Sequence, residues 1–173
     1  MKALILPGNG NCDINSMWYS YVKSELEKRG YEVIAENMPD PELARSEFWL
    51  PFMEEKLGGD RNVLLIGHSS GAVAIQRYLE THACHTAVLV GTCHTDLNEE
   101  SERLSGYYDA PWDWDAMKKN AKRIIIFAST DDPFISVSEP QFIAKQLDAD
   151  YREFTDQGHF QDEEFPELIS ALD

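Results

Sequence analysis

Cysteine is scarce in this sequence. Cys12, Cys84 and Cys93 are the whole complement among 173 residues, and no two of them form a Cys-x-x-Cys pair. An odd, sparse set offers no disulfide framework and fits a reducing compartment. Basic charge is scarce as well: 15 Lys and Arg stand against 31 Asp and Glu, a formal net charge of −16. A field of that sign repels phosphate backbones and anionic lipid surfaces, which argues against nucleic-acid and membrane-surface partners. Long apolar runs are missing, and none approaches the roughly 20 residues that span a bilayer. The first apolar run, Ala3 to Leu6, is cut by Pro7 and Gly8 and is too short for a signal-peptide core. The expectation is a soluble protein of the cytoplasm, with the nucleus as second choice.

Cofactor signatures are also missing. There is no Walker loop, and Gly8-x-Gly10 lacks the third glycine of a dinucleotide fingerprint, so no cofactor is expected. His82, Cys84, His85, Cys93 and His94 lie near one another in sequence, but their spacings match no zinc pattern. They also flank a predicted strand at opposite ends, so no metal is expected.

What is present is an ordinary globular balance, 43% hydrophobic and 27% charged, in a chain of single-domain length. Short apolar runs alternate with longer amphipathic ones. Strands are predicted at Ala3–Leu6, Tyr31–Ala35, Asn62–Ile66, Thr86–Val90, Arg123–Phe127 and Tyr151–Phe154. Helices are predicted at Ser16–Lys28, Gly71–Thr81, Ser138–Leu147 and Asp162–Leu172, and over Pro41–Leu57 with an interruption at Pro51. Apolar strands alternating with helices imply a parallel sheet covered on both faces, a three-layer α/β architecture. Functional loops then gather at the carboxyl ends of the strands. One stretch breaks the alternation: residues 92–122 form a long insertion rich in aromatics. It reads either as a lid or binding insertion or as a loop whose aromatics pack it to the sheet.

The strongest chemical signal is Gly67-His68-Ser69-Ser70-Gly71, directly after a predicted strand and before a predicted helix. This is the G-x-S-x-G nucleophile elbow in its required context, with small residues flanking a tight turn. A serine hydroxyl is a weak nucleophile and needs a base and an orienting acid. The loop after the fifth strand supplies Asp131 and Asp132, and the loop after the sixth supplies His159, in the order serine, acid, histidine. The residues alone leave the two neighbouring aspartates as alternatives. His68 is the competing histidine, but adjacent residues on the elbow point in different directions, which favours His159. Backbone N–H groups of Ser70 and of Asn9, on the loop after the first strand, are the candidate oxyanion donors. Trp18, His68, Tyr107, Trp112 and Phe134 are candidate pocket residues.

Several segments carry a wider resemblance. Pro7-Gly8-Asn9-Gly10, Asn37-Met38-Pro39-Asp40-Pro41, Trp49-Leu50-Pro51-Phe52-Met53, Gly67-His68-Ser69-Ser70-Gly71-Ala72, Ser129-Thr130-Asp131-Asp132-Pro133-Phe134 and Gly158-His159-Phe160 resemble the retinoblastoma-binding protein nine family of serine hydrolases. The resemblance runs along almost the whole chain. It implies a compact α/β-hydrolase fold with six mainly parallel strands, a triad at Ser69, Asp132 and His159, and hydrolysis of small esters or amides, amino-acid esters included. It thereby favours Asp132 over Asp131. The family's Leu-x-Cys-x-Glu stretch is lost here: Leu57-Gly58-Gly59-Asp60-Arg61 has Gly and Arg at the Cys and Glu positions. A retinoblastoma-type pocket protein is therefore not an expected partner, and a small-molecule substrate is. A non-catalytic protein-binding module on the same scaffold is the alternative, and an acyltransferase a third reading.

Overall fold

A computed structural model describes residues 1–173. Its elements alternate along the chain: β1 (Lys2–Leu6), α1 (Tyr19–Lys28), β2 (Glu32–Ile34), α2 (Ser46–Leu57), β3 (Val63–His68), α3 (Ser70–Leu79) and β4 (Cys84–Val90). Then come α4 (Glu100–Ser105), α5 (Trp114–Asn120), β5 (Ala121–Ser129), α6 (Ser138–Leu147), β6 (Asp150–Phe154) and α7 (Pro166–Ala171). The strands form one six-stranded sheet in the order β2-β1-β3-β4-β5-β6, and every pairing is parallel.

Both faces of that sheet are covered, which explains why the inner strands read as continuous apolar runs. Successive side chains point to opposite faces. Ala3 and Ile5, Leu64 and Ile66, Val88 and Val90, and Ile125 and Phe127 pack with α1 and α7. Leu4 and Leu6, Val63 and Leu65, Ala87 and Leu89, and Ile124 and Ile126 pack on the other side with α2, α3, α5 and α6. The strand order reverses between β1 and β3: the chain leaves β1 toward one edge and leaves β3 toward the other. Such a switch point opens a crevice at the carboxyl ends of the two strands. No helix is long and apolar enough to cross a membrane.

Three expectations are corrected in detail. The helix over the Pro41–Leu57 region begins only at Ser46 and runs through Pro51 unbroken. Trp49, Met53 and Leu57, one turn apart, bury a stripe that outweighs the missing N–H at the proline. The helix expected from Ser16 starts at Tyr19, and the one expected from Asp162 starts at Pro166. The insertion also contains two short helices, α4 and α5, that its composition did not announce; the side chain of Asp113 caps α5 by accepting from the Ala116 N–H at 2.9 Å.

The insertion is bolted to α3, the helix that follows the elbow. Arg77 Nε donates to the Tyr107 carbonyl at 2.7 Å, and its Nη1 and Nη2 donate to the carbonyls of Pro111 and Ala110. The guanidinium lies 3.6 Å from the centre of the Trp112 ring. Tyr107 is buried in the core, and Trp112 and Trp114 pack against it. These aromatics pack the insertion down onto the body of the protein.

Candidate active site

β3 ends at His68 and α3 begins at Ser70, which leaves Ser69 alone in the turn. Its backbone sits at φ 54°, ψ −119°, a conformation that a residue with a side chain rarely adopts. The turn is this tight because α3 passes directly behind the strand ends. A Cβ on Gly67 would fall 2.5 Å from the Gly71 backbone, and one on Gly71 would fall 2.5 Å from the Leu6 carbonyl oxygen. Backbone cannot retreat from such contacts, so both flanking positions require glycine. The Ser69 N–H donates to the Val90 carbonyl at 2.9 Å, continuing the sheet pairing past the end of β3.

The loops after β5 and β6 meet beside this elbow. His159 Nδ1 donates to Asp132 Oδ2 at 2.7 Å, and both side chains are nearly inaccessible. Asp132 Oδ1 accepts from the N–H groups of Phe134 and Ile135 at 2.9 and 3.0 Å. Both carboxylate oxygens are thus engaged, which fixes the plane of the carboxylate and the ring it holds. Asp131 faces elsewhere. Its Oδ1 accepts from Ser129 Oγ and from the Gly158 N–H at 2.8 Å, tying the two loops together. The Ser129 hydrogen bond holds its carboxyl below the usual range. The neighbours that position alone leaves open therefore have different tasks: Asp132, the one favoured by the family resemblance, touches His159, and Asp131 fastens the loop that carries it.

Ser69 and His159 line one cleft of about 680 Å³ at the switch point. Gly8, Asn9 and Gly10 line it from the loop after β1, and Ser70 and Val73 from α3. Ser70 opens α3, where backbone N–H groups have no intrahelical partner. Its hydroxyl is buried without a partner in the protein. The Asn9 side-chain amide donates to Glu102 Oε1 at 3.1 Å, and the Tyr108 hydroxyl donates to Glu102 Oε2 at 3.0 Å. Burial raises the Glu102 carboxyl above its ordinary range.

Of the expected pocket residues, His68 and Phe134 line the cleft, and Trp18, Tyr107 and Trp112 do not. Phe134 is 63% exposed and stands edge-on to His159, with ring centres 5.1 Å apart. Trp18 is buried against α7 and sends its indole N–H to the Phe160 carbonyl. Tyr107 lies inside the core, and the Trp112 N–H donates to the His94 carbonyl. Aromatic type alone does not distinguish a core ring from a cleft wall: Trp18 and Tyr107 lie in the core and Trp112 packs against it.

Other cleft residues escaped the sequence reading. Asp13 and Met17 come from the loop before α1, and Leu97, Glu99 and Glu102 from the insertion. No side-chain signal marked them; for Leu97, Glu99 and Glu102 the length of the insertion was the one available cue. Gly91, just after β4, was also missed. A Cβ there, at φ +55°, would stand 3.3 Å from the His159 ring and 3.7 Å from Asp132 Oδ2. A glycine at a strand's carboxyl end was the available signal.

A parallel sheet with a strained Gly-x-Ser-x-Gly turn at its switch point defines an α/β-hydrolase, and the comparisons with known proteins agree. The chain matches the serine hydrolase family over residues 3–168 and belongs to it. It is 50% identical to the serine hydrolase RBBP9 of Rattus norvegicus, over 99% of this chain and 93% of that protein. The crystal structure of the ydeN gene product from Bacillus subtilis superposes with a TM-score of 0.90 at 26% identity, over 99% of this chain and 96% of that one. Est1E from Butyrivibrio proteoclasticus, solved with ferulic acid bound, shares the fold at a TM-score of 0.74 and 13% identity, over 99% of this chain and 85% of that one. The protein is an enzyme of the hydrolase class, as its motifs had implied.

Proposed function

We propose that the enzyme cleaves small esters or amides through an acyl-enzyme on Ser69. His159 Nε2, the ring nitrogen not engaged by Asp132, takes the Ser69 proton as the oxygen attacks the substrate carbonyl. Asp132 holds the ring in the Nδ1–H tautomer and stabilises the imidazolium. The backbone N–H groups of Asn9 and Ser70 stabilise the tetrahedral oxyanion, each worth roughly 3 kcal/mol by the measure of other oxyanion donors. His159 then protonates the leaving group, water enters, and the same groups reverse their roles to release the acid.

The observation that carries this reading is the 2.7 Å Asp132–His159 hydrogen bond beside a serine in strained elbow geometry on the same cleft. The lining narrows the substrate. Asp13, Glu99 and Glu102 face the cleft and no Lys or Arg does, in a chain of net charge −16. Anionic acyl groups are repelled, and neutral or cationic ones are accepted. Met17, Val73, Leu97, Phe134 and Ile135 supply apolar surface for a modest side chain. An amino-acid ester, the class suggested by the family resemblance, combines an apolar side chain with an ammonium group and suits this lining.

The test is covalent labelling with a fluorophosphonate, followed by mapping of the modified peptide. Labelling is expected at Ser69, absent in Ser69→Ala, and slowed in His159→Ala. Turnover of the Ser69→Ala protein should fall by roughly 10^5-fold or more. A folded protein that takes no label would remove the acyl-enzyme and leave a binding module on a hydrolase scaffold.

A further inference from the structure

Two buried side chains outside the triad hold the backbone around His159. His68 Nε2 lies 2.8 Å from the His159 carbonyl oxygen, and the Trp18 indole N–H donates to the Phe160 carbonyl at 2.9 Å. A carbonyl can only accept, so Nε2 carries the His68 proton. Burial, and after it the neighbouring His159, pulls the pKa of His68 down to about 3, so the ring is neutral near pH 7 and holds one proton only. Nδ1 is then an acceptor, and the Tyr19 hydroxyl, 2.6 Å away, donates to it. The Cys12 thiol stands 3.6 Å from the same hydroxyl oxygen, on its accepting side. Donation therefore runs one way, from Cys12 to Tyr19 to His68 to the His159 carbonyl.

The loop needs such bonds. His159 sits between Gly158 at φ +50° and Phe160 at φ +54°, and a bulky residue such as phenylalanine rarely holds that conformation unaided. The neutral state of His68 also matters, because its ring centre is 4.9 Å from that of His159. A second positive charge there would oppose the imidazolium that His159 must become.

We infer that His68 is a positioning residue for the general base, its N–H fixing the backbone that aims the His159 ring at Ser69, with Trp18 anchoring the next residue. The inference rests on the Ser69–His159 chemistry proposed above. The residue that precedes the nucleophile in sequence thus serves the base, and does so through main chain.

The test combines steady-state hydrolysis of p-nitrophenyl acetate with variants that separate the N–H from the bulk of the ring. His68→Leu should lower kcat by about 100-fold, the cost of a misplaced catalytic group, with KM within about 3-fold. His68→Gln keeps an N–H donor where Nε2 stood, and should recover to within about 10-fold of the parent. Equal losses in the two variants, or a leucine variant with parental kcat, would overturn the inference. Nitrogen-15 NMR of the full chain gives a second measure that needs no turnover. The inference expects His68 in the Nε2–H tautomer at pH 7, and a Nδ1–H or imidazolium ring would overturn it. Failure of the parent protein to take a fluorophosphonate would instead sink the acyl-enzyme proposal, and the NMR result would still report on the clamp.

Discussion

The residues around the cleft fall into two groups with different construction. Ser69, His159 and Asp132 stand at the ends of β3, β6 and β5, and the histidine and aspartate are locked by buried hydrogen bonds. Asp13, Met17, Leu97 and Glu99 stand on irregular backbone and Glu102 on the short helix α4; all are partly or fully exposed, with left-handed backbone at Met17 and Leu97. The first group answers to the sheet; the second answers to loops that the sheet tolerates. On the function proposed above, reaction type is built into strand ends, and selectivity into segments that can change without disturbing the core.

The sharpest way to break the first group is at its two aspartates. Asp132→Asn removes the acceptor that sets the His159 tautomer and should lower kcat by roughly 10^3- to 10^4-fold. Asp131→Asn loses only a loop fastening and should cost less than about 10-fold. Comparing kcat of the two variants on one ester separates chemistry from scaffolding, and equal losses would contradict the division of labour. Gly91→Ala tests the space beneath the base. Its Cβ would crowd His159 at 3.3 Å from a left-handed backbone. We expect kcat to fall about 10-fold and Tm to drop by a few degrees, read by steady-state kinetics and thermal melts. The second group should respond more gently. Glu102→Gln should raise KM for a cationic amino-acid ester about 5-fold and leave a neutral acetate ester unchanged, with the gap narrowing in high salt. A shift of equal size for both esters would assign Glu102 to holding Asn9 rather than to charge.

The same division governs how much could be read from sequence. β1, β3, β4 and β5 were legible because each lies inside the sheet, buried on both faces, and so carries an unbroken apolar run, whereas the edge strand β6 is only partly buried. The edge strand β2 shrank to Glu32–Ile34, since an edge needs fewer apolar residues to mark it. Ser69 and His159 were visible because turn chemistry and chain order constrain them together. Asp131 and Asp132 are indistinguishable by position; the family resemblance favours Asp132, and side-chain direction supplies the physical difference. Trp18 shows the opposite difficulty: it is expected as a cleft wall, but it is buried in the core and its indole holds the Phe160 carbonyl. His68 was judged by its neighbour in the chain and not by the partners at each ring nitrogen. Glu102 could not be seen at all, because nothing in a surface helix says which cleft it will border.

The glycine of α3 that touches β1 has a consequence for folding. Gly71 fits only against the carbonyls of Leu6 and Pro7, which lie far away along the chain, and Ser69 completes its turn through Val90. The geometry of the Ser69 turn thus depends on three strands brought together from distant stretches of sequence, the kind of contact whose loop-closure entropy delays it. Helices can form early from local contacts, but the strained turn at Ser69 exists only once β1, β3 and β4 are side by side. Catalytic competence in this enzyme reports the completion of the fold, not its onset.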